Sequence, residues 1–309
     1  MQLHHVEIPL AATGIYYRVR SGNAVSEVAF TPGYGGNELR VAIVGNAGYA
    51  KADWGTAVLR EKPHLLLSAG DNVGALHRGT PVEPETTAAF SQLIDRWPEL
   101  FRTTRFLPAL GNHDREIRPR GPQPPAEPVY DVSARAFRKF FALPGEEWRW
   151  HFDLPAFGAR FIALDLNHLS DLGTTWQTCH PFTQDGPQFT WYRDLMAAGI
   201  QPFAITIYNE RNATVRGLEK GAWGKMIAQG TMAVTGFGYF GERAEVDGFP
   251  FYNTSVSGTG SRYPDGKSVL LESRDNFLLL RFARDPARLS VELRALDGTM
   301  LDQKSYPPR

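Results

Sequence analysis

Three short apolar runs in this chain each end in a glycine beside an amide or an acid. Residues 40–44 run into Gly45, Asn46, Ala47 and Gly48; residues 64–68 run into Ala69, Gly70, Asp71 and Asn72; residues 105–110 run into Gly111, Asn112, His113 and Asp114. Residues 54–60 are helix-compatible, and residues 86–101 carry apolar side chains at helical spacing. The resulting βαβαβ order implies strands in a largely parallel sheet with helices outside it. Functional loops of such sheets lie at the carboxyl ends of the strands, where all three polar loops sit. The glycines also let the backbone turn sharply there, a role that needs no chemistry.

The first 30 residues alternate apolar and polar, as in His5-Val6-Glu7-Ile8, and predict half-buried strands. We expect a β extension over residues 1–39 packed on a main domain of residues 40–309. Residues 133–141 and 188–196 read as helices, and residues 148–152, 159–166, 203–207 and 232–235 as strands. From Gly248 onward strand runs and turns alternate, which predicts a second sheet closing the core. The Pro- and Arg-rich stretch 115–128 reads as a loop forming a rim or lid next to His113. The fold class expected is α+β with two packed sheets.

A chain of 309 residues with a hydrophobic share of 42% can bury a substantial core. Lys plus Arg equals Asp plus Glu at 33 each, so no overall field draws nucleic acid or an anionic membrane. The single Cys179 rules out an internal disulfide and offers no thiolate cluster. No basic leader and no long apolar run is visible. We therefore expect a soluble, cytoplasmic protein that acts on a small molecule, without nucleic acid, membrane or cofactor, and in an open oligomeric state.

The polar loops, with Gly236, Phe237, Gly238, Tyr239, Phe240, Gly241, Glu242 and Arg243 further on, resemble the calcineurin-like metallophosphoesterases, especially the purple acid phosphatase-like branch. That family's motifs read roughly GDxG, GDN, GNHD and GHxHxYER. Leu164-Asp165-Leu166-Asn167 resembles its LDSN strand end, residues 188–195 its QxxWL helix, and Ser257-Gly258-Thr259-Gly260 its SGTG turn, so the likeness covers about residues 40–300. The resemblance implies a four-layer α/β/β/α sandwich of two mixed sheets. It also implies two divalent metals that share a bridging Asp and clamp a phosphate ester for in-line attack.

Residue by residue, the resemblance puts the first-motif Asp at Asn46, the bridging Asp at Asp71, the Asn ligand at Asn112 and the outer-sphere catalytic His at His113. The first His ligand falls at about Tyr208, and the last two become Phe237 and Tyr239. Four of six ligands are changed and every imidazole ligand is gone, so a two-metal centre is not expected. Glu242 and Arg243 keep the motif's ending as a loop anchor.

Three readings follow. In the first, the site acts without metal: His113 is general acid or base, Asp71 or Asp114 orients it, and Tyr208 and Tyr239 donate hydrogen bonds. Asn46, Asn72, Asn112, Asp114, Asn209, Phe237 and His168 would then contact substrate. In the second, the pocket of Phe237, Tyr239, Tyr208 and Trp176 binds an apolar ligand or partner without turnover. In the third, a residual phosphoesterase uses one metal at Asp71 and Asn112, or a rebuilt site at Asp165, Asn167, His168, Asp171 and His180 with Asp71. Arg115, Arg118 and Arg120 could pair an anionic substrate. His64 and His77 are weaker candidates, and His4, His5 and His151 read as surface or core residues.

Overall fold

A computed structural model describes residues 5–121, 125–199, 201–258 and 260–309. The chain starts with β1 (Gly14–Tyr17), the two-residue strands β2 (Arg20–Ser21) and β3 (Ala24–Val25), and β4 (Ala29–Pro32). β1 pairs antiparallel with β4. The alternation at residues 5–8 forms no strand, because nothing covers it: Val6 is 78% exposed. The first sheet then receives β5 (Glu38–Val44), β6 (Leu65–Ser68) and β7 (Arg105–Pro108), all parallel. Helix α1 (Trp54–Arg60) joins β5 to β6; α2 (Ala88–Arg96) and α3 (Pro98–Thr103) join β6 to β7. One helix was expected over 86–101. It breaks at Pro98, which lacks an N–H and drives Trp97 out of the helical region (φ −133°, ψ 63°).

After α4 (Arg135–Phe140) the second sheet takes β8 (Trp150–Leu154), β9 (Ala159–Ala163), then α5 (Pro187–Ala197), β10 (Phe203–Tyr208), α6 (Asn212–Ile227), β11 (Met232–Thr235), β12 (Gly241–Val246), β13 (Phe249–Asn253) and β14 (Ser268–Glu272). β9, β10, β11 and β13 run parallel, β8 and β12 flank them antiparallel, and β14 pairs antiparallel with β12 at the edge. The chain returns to the first sheet with β15 (Asn276–Arg284), β16 (Ala287–Ala295) and β17 (Met300–Tyr306), giving the order β17-β16-β15-β5-β6-β7. Sequence periodicity gives no sign of α6. Gly217, Gly221 and Gly224 interrupt it, and residues 218–221 leave helical geometry, with Glu219 and Lys220 left-handed. Among the described residues no helix is long and apolar enough to cross a membrane.

Strand alternation sorts the core. Phe161, Phe203, Ile205, Ile207 and Val234 face the first sheet, where Phe282 of β15 meets Phe161 and Phe203 at ring distances of 5.8 and 5.7 Å. Ile162, Ala204, Tyr208 and Ala233 face outward under Phe189, Tyr192 and Trp223 of α5 and α6. Helices cover both outer faces, which makes the expected α/β/β/α sandwich.

Two contacts join the sheets at the carboxyl ends of their parallel strands. Gly45, after β5, lies against Gly236, after β11, and a Cβ on Gly45 would stand 2.7 Å from the Gly236 Cα and overlap the Thr254 carbonyl oxygen. Arg115, fully buried after β7, donates to both carboxylate oxygens of buried Asp165, after β9, at 2.6 and 3.2 Å. Gly45→Ala is therefore expected to lose about 2–3 kcal/mol in urea unfolding, because backbone rather than a flexible side chain blocks the new methyl. Unchanged stability would mean that the two sheets are not in contact at this point.

Candidate functional site

Six loops converge where the two sheets meet: residues 46–49, 70–72, 111–115, 165–168, 209–210 and 236–239. Backbone bonds lace the first two together, Asn46 N–H to Gly70 O at 3.3 Å and Gly48 N–H to Asp71 O at 2.9 Å. Asn46 is left-handed (φ 57°), which asparagine tolerates better than most residues. Its side-chain amide donates to Gly236 O and Gly238 O at 2.6 Å each, and to Ser255 Oγ at 3.0 Å. Ser255 Oγ itself donates to Ser257 O, so all three partners of the amide act as acceptors and its NH2 group must face them.

Asp71, also left-handed (φ 54°), is 7% exposed, and its Oδ1 accepts the His113 backbone N–H at 3.3 Å. Among the described residues it has no ion-pair partner. Asn112 is buried beside it, with an Nδ2 that finds no acceptor. Asn72 and Asp114, expected to contact substrate, are instead fully buried braces. Asn72 donates to Ala109 O and to Asp114 Oδ2, and Asp114 also accepts from Gly111 N and Val73 N. Burial, reinforced by the charge of Asp71, pushes the Asp114 carboxyl up to about 7.

The imidazole of His113 meets neither Asp71 nor Asp114 side chains as expected. Its Nδ1 lies 2.8 Å from Glu116 Oε2, Arg120 Nη2 donates to its Nε2 at 2.7 Å, and the Tyr49 hydroxyl stands 2.6 Å from the ring nitrogens. Arg120 also pairs with Glu116 at 2.9 Å, so it is not free for an anionic substrate. Burial alone would raise the Glu116 carboxyl, but His113 and Arg120 together hold it down at about 2. Burial, then the charge of Asp71, pushes the Tyr49 phenol upward, so Tyr49 stays a proton donor. Sequence reading missed Glu116 and Tyr49. The available signal for Glu116 was its spacing, three residues after His113 and four before Arg120. The lid expected over 115–128 includes residues 122–124, which lie outside the described residues.

Tyr208 is corrected. As the last residue of β10 it follows Ala204 and Thr206 onto the helix-covered face, where it is fully buried and donates to Asn212 Oδ1 at 2.9 Å. Asn209, one residue on, turns to the site side and ties its amide to Ala69 O at 2.8 Å. Phe237 and Tyr239 are half-buried at the mouth. Phe237 sits between His168 (5.9 Å) and Tyr263 (5.4 Å), and Tyr239 stands edge-on to Tyr49 at 5.8 Å. Burial lowers the His168 imidazole, keeping it neutral. Trp176 joins neither ring group among the described residues.

The rebuilt metal set does not converge. Asp165 is taken by Arg115 and by His180 Nδ1 at 2.7 Å; His180 stacks on Trp148 at 3.9 Å; Asp171 is 3.9 Å from His168. Burial would raise Asp165, but Arg115 and His180 hold it below the usual carboxylate range. Among the described residues no group of three or more His, Cys, Asp or Glu side chains could hold a metal ion. His77 faces Glu116 at 3.3 Å, and His64 accepts the Arg40 backbone N–H. His4 lies outside the described residues.

Solved structures of similar shape include the purple acid phosphatase PPD1 of yellow lupin (Lupinus luteus) seeds, at 17% identity and a TM-score of 0.62 over 91% of this chain and 56% of that one. PhoD matches at 12% identity and a TM-score of 0.62, covering 94% of this chain and 73% of that one. GAP50, the anchor in the inner membrane complex of Plasmodium, matches at 14% identity and a TM-score of 0.55, covering 89% and 90%. This chain thus spans little more than half the length of the lupin protein, and identities this low speak for fold alone. No curated protein sequence matches it. The family model for calcineurin-like phosphoesterases covers residues 43–216, more than half of the chain. With that match and two mixed sheets in an α/β/β/α sandwich, the chain belongs to the calcineurin-like phosphoesterase family.

Proposed function

We propose that this protein keeps the phosphoesterase scaffold but has exchanged the two-metal centre for a small-molecule site that works without metal. The orientation of the Asn46 amide carries this reading. Where a metal ligand would need a lone pair, Asn46 presents an NH2 group already committed to two carbonyls and a hydroxyl. Phe237 and Tyr239 offer no imidazole, and Asn209, its amide N–H tied to Ala69 O, offers one buried, unpartnered amide oxygen. Asp71 is left as a single carboxylate, and one carboxylate with amides is a poor set for two dications. The residues present do not fit the family's metals.

The proton chemistry of the site rests on a chain of three groups. Glu116 orients His113 through Nδ1, His113 contacts the Tyr49 hydroxyl, and Tyr49 reaches the aromatic wall at Tyr239. In such a carboxylate–imidazole–phenol chain the ionised Glu116 balances the charge His113 gains when it takes a proton from substrate, while Tyr49 keeps its own proton and serves as a hydrogen-bond donor. A second reading, binding without turnover, is favoured by the fact that both nitrogens of His113 are already engaged, by Glu116 and by Arg120.

Metal analysis by plasma mass spectrometry, on protein expressed with manganese, iron and zinc and purified without chelator, is expected to find less than about a tenth of an equivalent per chain. Two equivalents would restore a phosphatase. Asn46→Asp is expected to lose about 2–4 kcal/mol, because the new carboxylate faces Gly236 O and Gly238 O; a variant of unchanged stability that takes up manganese would overturn the reading. His113→Ala is expected to remove about 10²- to 10⁴-fold of any chelator-resistant turnover while ligand binding persists. Unchanged turnover would remove His113 from the chemistry, and no chelator-resistant turnover in the parent would leave binding as the function.

A further inference from the structure

Asp71 poses a charge problem that the rest of the site does not solve. It is 7% exposed and has no ion pair among the described residues, and Arg120, the cation beside His113, is matched by Glu116 at 2.9 Å. A buried carboxylate without a counter-charge is costly unless a partner arrives. Its one hydrogen bond comes from a neutral backbone N–H. The rim adds further negative charge, because Asp171 sits 3.9 Å from His168, which burial keeps neutral.

Two phenols and an imidazole lie within electrostatic reach of this carboxylate. The charge of Asp71 acts on the phenols of Tyr49 and Tyr239 and on the imidazole of His168. Tyr49 and Tyr239 meet edge to face at 5.8 Å, and Phe237 bridges His168 and Tyr263. Gly260 packs so closely on the Tyr239 ring that any Cβ there would overlap it, which holds the ring in place. Tyr263 is 43% exposed, and Tyr49, His168, Phe237 and Tyr239 are half-buried, so the rings are open to solvent while the carboxylate is buried.

Resting on the metal-free reading above, we propose that this site binds a small organic cation, a quaternary or protonated amine, with its charge on Asp71 and its alkyl groups against Tyr49, Tyr239 and Phe237. Ring faces attract cations through their quadrupole, and an ammonium group bearing alkyl substituents fits an aromatic cage over a carboxylate. A bare metal ion fits poorly, because among the described residues no three acid, imidazole or thiol side chains converge to hold one. An anionic ligand would add to the unpaired charge.

The test is calorimetry on the full chain, treated with chelator, at low salt. Choline and its neutral isostere 3,3-dimethylbutan-1-ol are titrated separately, and manganese uptake is measured on the same preparation. Choline is expected to bind with a Kd of about 1 mM or tighter, and the isostere at least about tenfold more weakly. Asp71→Asn should weaken choline at least about tenfold and, without ligand, should raise Tm, because asparagine suits the left-handed backbone and carries no buried charge. Tyr239→Leu should weaken choline while Asp71 remains.

Metal-free protein that ignores choline, or binds both compounds equally, overturns the cation site and leaves the metal-free reading standing. So does an Asp71→Asn variant that keeps choline affinity or melts lower than the parent. Manganese bound at one or two equivalents overturns both proposals together.

Discussion

Gly45 and Gly236 touch with no side chain between them, and that contact sets the terms for everything at this end of the molecule. It brings the loop of one sheet within hydrogen-bond reach of the loop of the other. Polar atoms on such loops, shut away from water, have to satisfy one another or a ligand. Acids and imidazoles at these positions would be satisfied by cations. Amides are satisfied by carbonyls, and that is what the Asn46 amide finds at Gly236 and Gly238.

Charge follows the same economy. Arg115 and Asp165 cancel in the interior, where the planar guanidinium meets the carboxylate in two parallel bonds, and His180 takes the remaining capacity of the acid. Glu116 and Arg120 cancel beside His113. Asp114 and Glu210 also lack an ion pair among the described residues, but several N–H groups donate to each of them, whereas Asp71 accepts one backbone N–H. Asp71 lies where loops from both sheets come together, and its position says more about the site than the shape of the cleft does.

The scaffold was legible in the sequence because it is repetitive physics: an apolar strand, a glycine turn and a helix, three times over in the first half. The two-sheet architecture and the family followed from motif order. What was not legible turns on single-residue geometry. Tyr208 and Asn209 are neighbours, and only the pleat of β10 decides that the first points under the helices and the second into the site. Glu116 and Arg120 lie in a loop with no periodicity, where their spacing from His113 was the one hint, and Tyr49 lies one residue beyond the first motif with no signal that it meets His113. The glycine-broken α6 hid for the same reason, since its helical period is cut at residues 218–221.

The Asn46 amide also has a consequence for the history of the fold. Once its hydrogens are fixed on Gly236, Gly238 and Ser255, a return to aspartate has no immediate benefit, because Tyr208, Phe237 and Tyr239 still supply no imidazole. Each step back is penalised on its own, and only several together could hold an ion. On the metal-free reading proposed above, this works as a ratchet: the amide staple keeps later variants from gaining an ion one substitution at a time, and leaves the pocket to diverge around Asp71.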